Sequence, residues 1–207
     1  MIKTIVFDLD DTLYPKGSGV MEHAGAQMIR YIERVTGLSE AASRELRASF
    51  LQRHGTTLAG LQAEYDVDRE DYLRFVHAAH PREFLTRDDA LAAMLARLPQ
   101  RKIIFTNGPI EHAEKTLAVL GIRPHFDLLL DLRAFQWQPK PTPYPYQLLL
   151  SHLDHETEGA LYIDDRLVNL DPAADLGLQT VLIGGDAPAD LGRHRHVQDI
   201  LELEGLL

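Results

Sequence analysis

Three acidic residues close the first apolar run of this chain. Ile2, Lys3, Thr4, Ile5, Val6 and Phe7 lead into Asp8, Leu9, Asp10, Asp11 and Thr12. An apolar run bounded in this way reads as a buried strand. Carboxylates clustered at its end repel one another unless something offsets their charge. Asp8 and Asp10 are two positions apart, so along an extended chain they project to the same side. Two carboxylates aimed at one point make a cation site, or a nucleophile beside a general acid. Asp11 faces away from that pair and reads as a turn or cap residue.

Other chemically capable residues follow later apolar runs. Thr106, Asn107 and Gly108 come directly after a run ending at Phe105. Asp164, Asp165 and Arg166 come directly after a run ending at Ile163. Lys140 stands between Pro139 and Pro141, which stiffen its loop. If these groups converge, the carboxylates cannot all be charged without a cation. A set of oxygen donors in a chain with no cysteine favours a hard ion, and Mg²⁺ is the expected cofactor. His194-Arg195-His196 is a tempting metal tract, but adjacent histidines do not share a face and no third ligand is in sight, so it reads as a solvated loop.

The elements that must position these residues alternate. Apolar runs at 2–7, 102–105, 127–130, 160–163 and 180–183 read as strands, with helical periodicity between the later ones. Asp88 is placed to cap a helix carrying Leu91, Met94, Leu95 and Leu98 on one face, and Pro109 suits the first position of another. Such alternation implies right-handed crossovers and a parallel sheet covered on both faces, with ligands outside the carboxyl ends of the strands. The expected fold class is α/β: a Rossmann-like parallel sheet of about five strands with helices on both faces. Residues 17–81 break the alternation. Met21, Ala24, Met28, Ile32 and Val35 recur at helical spacing until Gly37, Ser39 is an N-cap for a second helix, and two shorter helices follow. The expected organisation is a core of residues 1–16 and 82–207, with residues 17–81 inserted as a helical cap after the first strand.

Composition limits the partners. The chain has 207 residues, a 45% hydrophobic and 25% charged composition, and a formal net charge of −10. An acidic surface is a poor match for nucleic acid polymers or anionic membranes. No apolar stretch approaches the roughly 20 residues of a membrane span. The absence of cysteine excludes disulfides, thiolate nucleophiles and cysteine-ligated zinc. The expectation is a soluble cytoplasmic protein of undetermined oligomeric state.

Asp8-Leu9-Asp10-Asp11-Thr12, Thr106, Lys140-Pro141 and Asp164-Asp165 with Asn169 resemble, in order, the four motifs of the haloacid dehalogenase superfamily of phosphohydrolases. That resemblance implies a helical cap of the C1 type and Mg²⁺-dependent hydrolysis of a small phosphorylated metabolite. Asp8 would be the nucleophile, forming an aspartyl phosphate. Asp10 would act as acid and then base, a residue that the dehalogenase branch lacks. Thr106, with Asn107 and Gly108 at a helix start, and Lys140 would bind the phosphoryl group. Metal ligands would come from Asp8, the Asp10 backbone carbonyl and Asp165, with Asp164 direct or through water. Asn169 departs from an acid often found there, which suggests an outer-shell role. Arg166 is a further candidate for receiving phosphate.

The sequences FDLDDTLYP and GTTLAGL are similar to the branch acting on pyrimidine 5′-mononucleotides. The implied substrate is then a pyrimidine nucleoside 5′-monophosphate. Alternatives are a sugar-phosphate phosphatase, a phosphomutase, or a non-catalytic binding or regulatory protein. Substrate choice would lie in the cap, where His54, Thr56 and Thr57 occupy a helix-ending loop. Tyr65, Tyr72 and Phe75 read as cap core.

Overall fold

The computed structural model describes residues 1–186 and 189–207 and divides into two compact units. One comprises Met1–Ser18 with Leu85–Leu207, the other Gly19–Phe84. The sequence places these borders two to three residues earlier.

The larger unit is a sheet of β1 (Thr4–Phe7), β2 (Arg101–Phe105), β3 (Leu128–Leu130), β4 (Ala160–Asp164), β5 (Gln179–Ile183) and β6 (Arg195–Val197). The spatial order is β3-β2-β1-β4-β5-β6, and every pairing is parallel. β1 lies at the centre, where successive connections move first to one side and then to the other. Ligands bind at such a switch point, beyond the strand ends. Ile5, Val6, Phe7 and the whole of β4 are buried, as expected for strands covered on both faces. Val6 packs with Phe105, Tyr146, Leu149, Leu170 and Ala173. Phe7 alternates to the other face, where its ring meets Phe126 edge-on with centroids 5.7 Å apart.

The sheet has six strands rather than about five. The additional one is the histidine tract that the sequence places in a solvated loop. At the sheet edge a strand needs no apolar run, so its polar residues concealed it. His194, just before it, is anchored: the Thr180 hydroxyl donates to Nδ1 at 2.6 Å, and Nε2–H donates to Asp171 at 3.1 Å.

Four helices accompany the sheet in this unit: α5 (Asp89–Arg97), α6 (Ile110–Leu120), α7 (Pro143–His152) and α8 (Leu167–Asp175). The smaller unit is made of α1 (Val20–Thr36), α2 (Glu40–His54), α3 (Thr57–Glu64) and α4 (Arg69–Val76). Asp88 caps α5 as expected, accepting from Leu91 N at 2.9 Å. Pro109 is not the first residue of α6 but the one before it. In the smaller unit Ser39, Thr56 and Asp68 cap α2, α3 and α4 by accepting from backbone N–H groups. Gly37 and Gly55 end α1 and α2 in the left-handed region, at φ 71° and 78°. The ring of Tyr31 meets those of Tyr72 and Phe75 edge-on, so these aromatics form the interior of the helical unit. Among the described residues no helix is long and apolar enough to cross a membrane.

Candidate active site

β1 ends at Phe7, and Asp8 continues its ladder for one bond, its N–H donating to Ile163 O at 2.9 Å. The chain then turns. Leu13 N donates to Leu9 O at 3.0 Å, closing a helical turn, and Asp11 sits in the left-handed region at φ 58°. Asp8 and Asp10 therefore do not share one side of an extended strand, and they meet different partners.

Asp8 meets Lys140. The Lys140 ammonium, buried with its residue 1% exposed, lies 2.8 Å from Asp8 Oδ1. It is also 2.6 Å from Phe105 O, 2.9 Å from Tyr162 Oη and 3.0 Å from Asp164 Oδ2. An ammonium has three N–H donors, so these four oxygens saturate it. Burial alone would depress the Lys140 pKa, but the charges of Asp164 and Asp8 more than reverse this and hold it above its ordinary value. Burial raises Asp8 well above the usual carboxylate range; Lys140 pulls it back, and Asp164 and Asp10 push it up again.

Asp164 is fully buried, and both of its oxygens are used. Oδ1 accepts from Arg166 N at 2.9 Å and Asn169 Nδ2 at 3.0 Å, while Oδ2 accepts from Lys140, Asn169 and the Tyr162 hydroxyl. Asn169 thus acts on Asp164. The Arg166 side chain is exposed, and it is the backbone of Arg166 that joins the network. Asp165 has no such set of donors. Burial first, then the charges of Asp164 and Asp11, push its carboxyl up to about 7. Asp11, read from the sequence as facing away, is thereby close enough to act on Asp165.

Thr106 is buried, and its Oγ1 accepts from Gly108 N at 3.0 Å. The first N–H of α6, at Ile110, is taken by Asp131 Oδ2 at 3.0 Å. The free N–H groups expected at Gly108 and at the helix start are therefore already engaged by Thr106 and by an aspartate after β3. Asn107 has a different task. Its Nδ2 donates to Lys140 O at 3.0 Å and its Oδ1 accepts from Lys140 N at 2.8 Å, docking the lysine loop onto the end of β2.

Asp10 has two partners that the motif reading did not single out. Tyr14 Oη donates to Asp10 Oδ1 at 2.5 Å, and His112 Nε2 lies 2.7 Å from the same oxygen. Tyr14 is four residues on, and the helical turn brings i and i+4 together. That spacing was visible in the sequence, but the turn was not. His112 lies in the first turn of α6, 102 positions away in the chain, and no local pattern links it to Asp10. Burial would lower the His112 pKa, but the charge and hydrogen bond of Asp10 hold it above its ordinary value. Burial, then Asp10, raise that of Tyr14, which remains a protonated donor.

The other predicted residues have local partners within the helical unit. Thr56 caps α3. Thr57 is 3% exposed, and its hydroxyl reaches Met28 Sδ at 3.7 Å. His54 Nε2 lies 3.6 Å from Glu64, and its ring is edge-on to Phe50.

Asp8, Asp164 and Asp165 each place a carboxylate oxygen within 4.8 Å of the others. Three acids, two of them with raised pKa values, face one ammonium. An oxygen-binding divalent cation fits that donor set and charge. Asp164, with both oxygens engaged at 3.0 Å or less, orients Lys140, while Asp165 and Asp8, whose Oδ2 accepts a longer bond of 3.4 Å from Thr12, could hold such a cation.

A family model described as haloacid dehalogenase-like hydrolase matches residues 2–177. Phosphate metabolism protein 8 of Saccharomyces cerevisiae is 25% identical over 197 residues. That alignment covers 87% of this chain, which spans only 61% of the yeast protein's length. Among solved structures, a HAD phosphatase from Thermococcus onnurineus superposes with a TM-score of 0.70 at 19% identity, covering 99% of this chain and 97% of that one. The L-2-haloacid dehalogenase of Xanthobacter autotrophicus superposes with a TM-score of 0.63 at 18% identity, covering 100% and 98%. The same fold thus carries relatives described by different chemistries, and only side chains can choose between them.

Proposed function

The chain belongs to the haloacid dehalogenase-like hydrolase family, and from that premise we propose that it is a Mg²⁺-dependent phosphomonoester hydrolase acting on a small phosphorylated metabolite. The observation that carries this reading is the contact of Asp8 Oδ1 with the buried Lys140 ammonium at 2.8 Å, beside the Asp164 and Asp165 carboxylates. A nucleophilic carboxylate must be ionised, and burial opposes that. Lys140 and a bound cation together would overcome the opposition. Asp10 supports phosphate chemistry over dehalogenation, because departure of an alkoxide needs a proton donor.

In this mechanism an Asp8 oxygen attacks phosphorus, and the bond to the leaving oxygen breaks with its electron pair moving to that oxygen. Asp10 gives the leaving oxygen a proton. A water then loses a proton to Asp10 and attacks the same phosphorus, releasing Asp8 and inorganic phosphate. Lys140 and the Thr106 hydroxyl stabilise the transferring group. Mg²⁺ would be held by Asp8 and Asp165 and would supply charge neutralisation for that group.

The first substrate is a pyrimidine nucleoside 5′-monophosphate, supported by the similarity of residues 7–15 and 55–61 to that branch. The name of the yeast relative connects that protein with phosphate metabolism. The test is hydrolysis of p-nitrophenyl phosphate with Mg²⁺ by wild type and Asp8→Asn, followed by a panel of nucleotides and sugar phosphates. Wild-type activity lost in Asp8→Asn is expected; full activity in the variant would sink the nucleophile assignment. Preference for sugar phosphates would replace the nucleotide and leave the reaction class standing.

A further inference from the structure

We infer that His112 and Tyr14 are positioning residues that together aim the Asp10 carboxyl group at the leaving oxygen of the substrate. The inference rests on the reading of Asp10 as general acid. Two donors from different parts of the chain converge on one oxygen: Tyr14 Oη at 2.5 Å and His112 Nε2 at 2.7 Å, both to Oδ1. The last torsion of an aspartate is soft, so a carboxyl held by a single donor can swing. Two donors on Oδ1 fix its plane. Oδ2 is then directed toward Gly108, where an added Cβ would lie 3.5 Å from it and 3.4 Å from Thr106 Oγ1. Oδ2 thus shares the neighbourhood of the hydroxyl read as a phosphoryl ligand.

The supports are themselves held. His112 is 6% and Tyr14 3% exposed. Tyr14 is carried by the turn after β1, and His112 by α6, whose first N–H is clamped by Asp131. Gly108 leaves the space between Thr106 and His112 open: a Cβ there would also be 3.6 Å from His112 Cδ2. Misplacing a reacting group by about 1 Å can cost about 100-fold in rate.

A purely structural role for His112 and Tyr14 would lower all turnover alike. A role through Asp10 depends on how much the leaving group needs a proton. The experiment compares kcat/KM, which reports the step in which the leaving group departs, on two substrates. p-Nitrophenyl phosphate releases a phenolate stable without a proton, whereas phenyl phosphate releases one that needs it. His112→Leu and Tyr14→Phe are each expected to lose about tenfold or more on phenyl phosphate than on p-nitrophenyl phosphate. His112→Gln, which keeps an N–H donor, is expected to recover most of that gap.

Equal losses on both substrates in folded variants overturn the proposal. If His112→Leu fails to fold, Tyr14→Phe, which keeps the ring, carries the same comparison. Asp10→Asn separates this proposal from the reading beneath it. Wild-type activity of Asp10→Asn on both substrates removes the general acid itself. A selective loss in Asp10→Asn, with equal losses in the His112 and Tyr14 variants, removes only the positioning role.

Discussion

Asn107 and Lys140 hold each other by two reciprocal hydrogen bonds, Nδ2 to Lys140 O at 3.0 Å and Lys140 N to Oδ1 at 2.8 Å. The side chain of one residue replaces a strand for the backbone of the other. The loop carrying the ammonium is thus pinned 33 positions away in sequence, at the end of β2. Asn107→Ala removes both bonds while leaving every charge in place. At about 1 kcal/mol net for each bond, a loss of about 2 kcal/mol in stability is expected by urea unfolding. Turnover of an aryl phosphate should fall as well, because Lys140 no longer has a fixed approach to Asp8. Unchanged stability and turnover together would show that the loop is held by other contacts.

Lys140 itself is a harsher case. Its ammonium is buried between Asp8 and Asp164. Lys140→Met leaves two buried carboxylates without their cation, and about 3–5 kcal/mol of destabilisation is expected. The double variant Lys140→Met with Asp164→Asn removes one of the stranded charges and should recover part of that stability, with no recovery of turnover. Thermal unfolding of the two single variants and the double variant, read as a cycle, checks this.

The acid cluster predicts a pH dependence. The Asp165 carboxyl is raised from 3.8 to about 7, chiefly by burial, and Asp8 is raised in the same direction. For a group raised on folding, its stabilisation is fully present below the unfolded pKa and is lost as pH rises through the folded one. The metal-free protein should therefore lose stability between about pH 4 and about pH 7 from Asp165, with Asp8 acting in the same direction. Mg²⁺ binding, which favours the ionised form, should raise Tm more at about pH 8 than at about pH 5. Melting with chelator and with Mg²⁺ across that range is the measurement; a Mg²⁺ effect independent of pH would count against Asp165 as a ligand.

The helical unit offers a test free of catalysis. A Cβ on Gly60 would lie 2.2 Å from Phe50 Cγ and 2.5 Å from Phe50 Cβ, and Phe50 is fully buried. The clash includes Cβ, so rotation of the ring cannot relieve it. Gly60→Ala should destabilise this unit by about 1–3 kcal/mol despite the higher helix propensity of alanine. Denaturant unfolding of Gly60→Ala beside the wild type is the check; unchanged stability would show that α3 shifts to admit the methyl group.

What could be read along the chain was whatever depends on near neighbours. Apolar runs interrupted by helical periodicity specify strands and helices through local burial, so the parallel α/β sheet and the acids after β1 and β4 were legible. So were the caps Ser39 and Asp88, because a cap is a bond between residues two or three apart. β6 was not, since an edge strand of polar residues is defined by its neighbour β5 and not by its own pattern. The resemblance already divided Asp8 from Asp10 by role and set Lys140 beside Asp8, but the partners of Asp10 were not legible. The fold sets Lys140 at 2.8 Å from Asp8, and only the fold brings Tyr14 and His112 to Asp10. In the same way, Asp131 takes the α6 N–H that the sequence left for an anion, and Asp164 proves saturated by Lys140, Tyr162 and Asn169. The physical reason is common to all of these. A residue's type and spacing specify what it can bond to, but which donor arrives within about 3 Å is decided by the packing of distant elements at the strand ends.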